Sequence, residues 1–315
     1  MNLAIPDIRT LEIHLPPSGY LTSCRRSYGA GTRNELGVPL LESAIRDAAA
    51  LGYNFLAIAG EQSISHTGLS SLCREAHRMR MLTTLTTRAG LLTPKRIKSL
   101  VMSIDLLGIR YEAGLAQNLD PVRKSEIPFA LVYHLTAANI GELEPAAAFA
   151  VAQGAAMFQV VPAQELADQD MATVWMVIEC LRDMHREKLA IQVDVLNRYN
   201  LRQDPARFDA WVRGLTEKQT ALGDLITPLV IQEDGLVVPL QHGFPLSQAM
   251  GFLGEAKLEA LARVWIRDRA ADFCQRYRRV LTSAPMFADL RQLLARSSKG
   301  TAMSIVMPLR MATGV

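Results

Sequence analysis

Cys24 is the one soft nucleophile in PSGYLTSCRRSYGAG (residues 17–31), a stretch whose Pro, Gly and Ser content reads as a loop. It stands between Ser23 and the pair Arg25-Arg26. Two guanidiniums beside a thiol favour the thiolate, the form that attacks electrophiles and binds soft metals. The plainer reading is an inert thiol next to an exposed basic pair. Arg25 and Arg26 also offer planar forks for a carboxylate or a phosphate. His14 and His134 sit in strand-like runs, LEIHL (11–15) and FALVYHLT (129–136), and from there either could exchange a proton with Glu61 or Asp105. A core histidine with one hydrogen bond is the commoner outcome for both. His66 and His242 are two further candidates near the strand ends and the tail. The other cysteines, Cys73, Cys180 and Cys274, are far apart and no two form a C-x-x-C pair. No group of ligating residues has metal-site spacing, so no metal is expected.

The order of elements gives these residues their places. LEIHL alternates; VPLLESAIRDAAALG (38–52) has helical spacing and closes on Gly52; FLAIAG (55–60) is a short apolar run ending in glycine. The spacing then predicts a helix over 67–80, a strand over 81–87, a short helix over 93–100 with Thr93 as cap and Pro94 behind it, and a strand over VMSID (101–105). Residues 106–128 read as loop. Strand, helix, strand, helix, strand follow over 129–136, 140–154, 157–162, 171–188 and 189–196. Such alternation predicts an α/β fold, a parallel sheet curved into a full or partial TIM-type barrel, with ligands at the C-terminal strand ends. From about residue 201 the character changes. LITPLVIQEDGLVVPLQ (225–241) reads as a hairpin around Asp234-Gly235, and a long helix is predicted over 257–281. The expected division is a barrel over 1–200 and a hairpin-plus-helix extension over 201–315.

Taken in order, the strand ends resemble those of the radical S-adenosylmethionine (SAM) superfamily. There the loop after the first strand carries Cys, three residues, Cys, two residues, Cys, and commonly an aromatic. In YLTSCRRSY those positions fall on Tyr20, Cys24, Ser27 and Tyr28. The Gly-Gly-Glu-Pro turn after the second strand is matched by Ala59, Gly60, Glu61 and Gln62, and the third strand's Thr-Asn-Gly-Thr-Leu by TTRAGLL. A fourth-strand Ser-x-Asp is matched by Ser103 and Asp105, and a fifth-strand Thr and Asn by Thr136 and Asn139. The tail is similar to the superfamily's twitch or SPASM extension, with Leu240 where a cysteine is usual. The resemblance implies SAM contact at Gly60 and Glu61, ribose contact at Ser103 and Asp105, and further ligand contacts at Tyr20 and Asn139, while Arg25 and Arg26 are candidate ligand contacts by their own charge.

The resemblance breaks where the chemistry begins. A [4Fe–4S] cluster is held by thiolates because its iron prefers soft anionic donors. Here two of three ligand positions are a phenol and an alcohol, which titrate at about pH 10 and far higher. The expectation is therefore no iron–sulfur cluster and no 5′-deoxyadenosyl radical. Three functions follow. The first is a degenerate protein that binds SAM or a related small ligand and carries Cys24, His14 and His134 for polar chemistry. The second is a non-catalytic pseudoenzyme that binds a peptide or a partner enzyme in a biosynthetic pathway. The third is a true radical enzyme with unusual ligation.

Bulk properties narrow the classes. A chain of 315 residues with 49% hydrophobic and 21% charged residues supplies a large core and argues against disorder. A net charge of +3 without long basic runs argues against nucleic acid. No run of about 18 apolar residues and no leader-like start is present, so a cytoplasmic protein with reduced thiols and no membrane contact is expected.

Overall fold

The computed structural model describes residues 8–15, 36–60, 63–112, 114–162, 168–193, 213, 214, 217, 221–239, 248–273, 275 and 276. Seven strands alternate with helices: β1 (Thr10–His14), α1 (Val38–Ala50), β2 (Phe55–Ala59), α2 (Leu69–Arg78), β3 (Leu82–Arg88), α3 (Pro94–Leu100), β4 (Leu106–Arg110), α4 (Asp120–Arg123), β5 (Phe129–Leu135), α5 (Leu143–Gln153), β6 (Met157–Pro162), α6 (Asp168–His185) and β7 (Ala190–Val193). A short helix α7 (Leu222–Leu225), strands β8 (Leu229–Ile231), β9 (Leu236–Pro239) and β10 (Gly251–Phe252), and α8 (Leu258–Asp268) follow.

All ten strands form one sheet in the order β10-β9-β8-β1-β2-β3-β4-β5-β6-β7. Strands β1 to β7 run parallel to their neighbours, and β8 joins the outer side of β1, also parallel. The β8–β9 pair is the expected hairpin: Asp234 Oδ1 accepts from the Leu236 N–H at 3.0 Å, and Gly235 takes the turn at φ +85°. Because β1 pairs with β8 and not with β7, the sheet is an open, partial barrel rather than a closed one.

The two faces of this sheet differ in kind. Leu11 and Ile13 of β1, Leu56 and Ile58 of β2, and Leu107 and Ile109 of β4 are buried in the core cluster, together with Leu41, Ala44, Ile45 and Ala48 at helical spacing on α1. Tyr111 stacks on Tyr133 and on Phe149 of α5, which fixes that face as the helix side. The alternate residues, Glu12, His14, Thr86, Arg110 and His134 among them, face the other way, into the curve of the barrel.

Two expectations need correction. VMSID (101–105) is no strand; it is a turn after α3, with Met102 86% exposed, and β4 is LLGIR (106–110) instead. The helix read over 257–281 is interrupted: α8 ends at Asp268, Arg269 leaves helical geometry at φ −129°, and residues 270–273, 275 and 276 are helical again. Among the described residues no helix is long and apolar enough to cross a membrane.

Candidate functional site

At the C-terminal end of β1, His14 Nε2 lies 2.5 Å from Glu12 Oε1. The two residues are two apart on a strand, so they share a face, and Leu11 and Ile13 between them pin that face by burying the other. Glu12 is thus a proton partner of His14; the expected Asp105 is engaged elsewhere, by Thr83 and His77, and the expected Glu61 lies outside the described residues. The period-two spacing E-x-H in LEIHL was the available signal. Glu233, in the turn after β8, completes this pole. Burial pushes its carboxyl up, the nearby His14 works against that, and Asp234 adds to it. Next to it, Gln232 Nε2 is buried and has no hydrogen-bond partner among the described residues, a donor left for something else.

A second pole lies across the mouth. Arg88 ends β3 and Arg110 ends β4; they are register partners and so stand side by side on the same face. Val132 is the β5 partner of Arg110, and His134 follows it at the strand end. Desolvation first and the Arg110 charge second hold the His134 imidazole down to about 4, although solvent reaches the ring from the mouth. His134 is therefore neutral at pH 7, able to donate one hydrogen bond and accept another. Its folded pKa lies below the unfolded value of about 6.5, so the unfolded chain takes up the extra proton in that interval, and this contribution to stability is lost as pH falls from about 6.5 through 4. We expect Arg110→Gln to raise the His134 pKa without restoring the ordinary value, because desolvation remains. A histidine ring titration by NMR checks it, and an unmoved pKa would show that Arg110 is not felt there.

Between the poles, two resemblance-derived contacts are spoken for internally. Gly60 follows β2 at φ +118°, and its carbonyl accepts from both the Ser63 N–H (3.2 Å) and the Ser63 hydroxyl (2.9 Å). A carbonyl has two lone pairs, so this one has none left for an incoming amino group. Asn139 caps the turn after β5: its Oδ1 accepts from the Thr136 N–H at 2.7 Å and its Nδ2 donates to the His134 carbonyl at 3.0 Å. Both residues sit at the mouth, where the strand order puts them, but as parts of its frame.

Ser103 and Asp105 do not reach the mouth. They precede β4 and therefore lie at the opposite, N-terminal end of the barrel. Asp105 Oδ2 accepts from the Thr83 N–H (2.7 Å) and from His77 Nε2 (2.9 Å), with the Thr83 hydroxyl at 2.9 Å; the Ser103 carbonyl accepts from that hydroxyl at 3.0 Å. Desolvation pushes the Asp105 carboxyl up, but the Thr83 N–H, the His77 hydrogen bond and charge, and the Thr83 hydroxyl together bring it below the usual range. The sequence reading placed the fourth strand one element too early. With β4 ending at Arg110, residues 110 and 112 stand at the C-terminal end of the fourth strand instead.

Tyr20, Cys24, Arg25, Arg26, Ser27, Glu61, Leu240, His242 and Cys274 lie outside the described residues. Cys73 is buried in α2, its thiol pushed up to about 12 by burial and then by Asp105, so it sits at the end of the barrel far from the mouth. Cys180 is exposed on α6. His66 Nδ1 accepts from the Gly68 N–H at 3.1 Å, and burial lowers its pKa, so it serves the turn into α2. Among the described residues no group of His, Cys, Asp and Glu is arranged to hold a metal ion.

An open parallel sheet, helices along one face, a polar curve opposite them and a hairpin added to β1 define a partial-barrel protein. Solved structures carry the comparison further. The chain superposes on SuiB of Streptococcus suis bound to S-adenosylmethionine with a TM-score of 0.56 and 17% identity, covering 83% of this chain and 66% of SuiB, just under two thirds of that protein. It superposes on anSMEcpe with bound AdoMet at 0.52 and 12% identity, covering 80% of each chain. SuiB bound to its precursor peptide SuiA gives 0.54 and 15%, covering 82% of this chain and 65% of that one. No family model and no curated protein matches the chain. The chain has the radical SAM fold; at these identities the likeness is one of architecture.

Proposed function

We propose that this protein is a radical-SAM-fold protein that holds SAM or a related amino-acid-like ligand at the barrel mouth and assembles no [4Fe–4S] cluster there. The observation that carries the proposal is the donor set. The first-strand loop offers Cys24 with Tyr20 and Ser27, while the Cys73 thiol is turned into the core at the opposite end and Cys180 sits on an outer helix. One thiolate cannot replace three by chelation. These residues do not fit the cluster.

For a ligand the mouth is better furnished. Gln232 holds out a buried, unpartnered amide donor, and Arg110 holds a half-buried guanidinium on the same curved face. SAM, when bound, supplies an electrophilic sulfonium carbon that needs no reduction. His14, held by Glu12, is the group placed to take a proton from a nucleophile, with Glu233 nearby. Neutral His134 can donate a hydrogen bond without adding charge. Calorimetry with SAM and S-adenosylhomocysteine tests the reading. We expect saturable binding with a Kd below about 1 mM; the absence of heat with both rejects it.

A second reading, a non-catalytic protein that binds a peptide or a partner enzyme, has its own support. The Gly60 carbonyl and the Asn139 amide are already satisfied within the protein, and structurally similar chains were solved with peptides, SuiB with SuiA and anSMEcpe with the Kp18Cys peptide. On this reading the extension after residue 200 selects the partner. Peptide binding without any response to SAM would select it over the first.

A further inference from the structure

The end of the barrel opposite the mouth presents two exposed apolar side chains as neighbours. Met102, in the turn after α3, is 86% exposed, and Leu82, the first residue of β3, is 57% exposed. The Thr83 hydroxyl donates to the Ser103 carbonyl at 3.0 Å, which holds the residues just before them side by side. Half-buried Phe55, the β2 register partner of Leu82, continues the apolar surface. Cations stand around it. Arg78 lies in the last turn of α2 and Lys98 in the last turn of α3. His77 Nε2 on Asp105 Oδ2 at 2.9 Å ties the end of α2 to the turn after α3. Arg78 shares the Glu75 carboxylate with Arg46, so one acid meets two guanidiniums. Arg80 and Lys98 are exposed, and neither side chain has an ion-pair partner among the described residues. The acid within this surface, Asp105, is engaged by His77 and Thr83.

Arg80 adds an independent observation. α2 closes in a Schellman turn, with the Met81 N–H donating to the Ala76 carbonyl at 2.9 Å and the Arg80 N–H to the His77 carbonyl at 2.9 Å. Arg80 takes the left-handed position of that turn, at φ +60°, where glycine is usual. It is the one residue other than glycine with a positive φ among the described residues. A position that bears strain to keep a long cation in solvent points to a use for the charge. We infer that this end of the barrel is a docking surface for an anionic membrane. Met102 and Leu82 enter the headgroup boundary, and Arg78, Arg80 and Lys98 meet lipid phosphates. A side chain standing as far out as Met102 needs no matching socket in a fluid surface, and lipid phosphates meet cations at any spacing, whereas a protein partner would have to supply both. The expectation of no membrane contact came from charges read along the chain; these cations come together only where α2 and α3 end. The mouth then faces away from the bilayer, so the surface is independent of the ligand reading above.

Co-sedimentation of the full chain with lipid vesicles tests the surface. Phosphatidylcholine vesicles carrying about 30% phosphatidylglycerol should bind the parent at low salt, and pure phosphatidylcholine vesicles should not. Arg80→Gly should weaken binding about three- to fivefold and yet melt no lower than the parent, because glycine takes the turn without strain. Arg80→Gln, which leaves the backbone as it is, should lose as much binding and decides the matter if the glycine variant fails to fold. Met102→Asp should weaken binding at least about tenfold. Arg263→Gln, which removes an exposed cation of α8 paired with Glu259, should bind as the parent does. A parent that stays in solution with the anionic vesicles overturns the surface. So does a loss in Arg263→Gln equal to that in Arg80→Gln, which would mean attraction by overall charge alone. If the vesicles are ignored while poly-glutamate binds in a way that depends on Arg80 and Met102, the membrane is rejected and the surface passes to an acidic protein.

Discussion

Replacing Gly60 with alanine will destabilise the protein by about 2–5 kcal/mol and lower its Tm by roughly 3–8 °C. Two independent costs add. The residue sits at φ +118°, a conformation that side chains rarely adopt. An added Cβ would also meet the Leu15 carbonyl oxygen at 2.6 Å. That oxygen belongs to the backbone at the end of β1, so it cannot swing away as a side chain would. β1 and β2 are tied at this point by the Leu15 N–H donating to the Ala59 carbonyl at 3.1 Å. The clash therefore pries apart the two strands that form the mouth. Thermal melting by circular dichroism checks it, and a variant that melts with the parent would mean that the turn is looser than its geometry requires.

Asp105 is expected to behave as a structural residue at the far end of the barrel. Asp105→Ala leaves the Thr83 N–H, at the very start of β3, without its side-chain acceptor and takes one of their partners from His77 Nε2 and from the fully buried Thr83 hydroxyl, which keep each other and the Ser103 carbonyl. The expected loss is about 2–3 kcal/mol, moderated because the carboxyl side chain is 40% exposed. Asp105→Asn, which keeps an acceptor, should lose less. The carboxyl titrates below its unfolded value, so its contribution is in place above about pH 4 and fades as pH falls through the lower, folded value. Urea denaturation at pH 7 and at pH 3 should show the gap between parent and variant narrowing in acid. Ligand affinity of the folded fraction should stay unchanged in both variants; a large loss of SAM binding would return Asp105 to the site.

The run of strands and helices was legible because each element kept its own period. Leu41, Ala44, Ile45 and Ala48 mark α1, Leu11 and Ile13 mark β1, and Thr93 accepts from the Arg96 N–H at 3.3 Å to start α3 as its Thr-Pro signature implies. β4 was illegible for a tertiary reason. Gly108 breaks the β pattern of LLGIR, and what selects it is the Thr86 hydroxyl pressing from the next strand, a contact that cannot be read from neighbours in sequence. VMSID looked more strand-like because Val101 and Ile104 are β-branched, while Asp105 turns out to spend its carboxyl on the N–H that opens β3.

The site was legible in outline only. His14 and His134 fall at the mouth because strand order decides which end of a parallel sheet faces ligands. Their partners were not visible. Glu12 shares a strand face with His14 at a spacing too short to stand out, and Arg110 reaches His134 across two strands that are far apart in sequence. Glu233 and Gln232 come to the mouth only because β8 docks on β1. The first-strand loop with Cys24, and Glu61 after β2, lie outside the described residues, so the sulfur donors are argued from their chemistry and from where Cys73 and Cys180 are placed.

Iron and acid-labile sulfide analysis after anaerobic reconstitution, with the visible absorption spectrum of the same sample, tests most directly whether this mouth holds a ligand in place of a cluster. A colourless protein with well under about one iron per chain is the predicted result. About four irons and four sulfides per chain, with a broad visible charge-transfer band that disappears in Cys24→Ser, would contradict it.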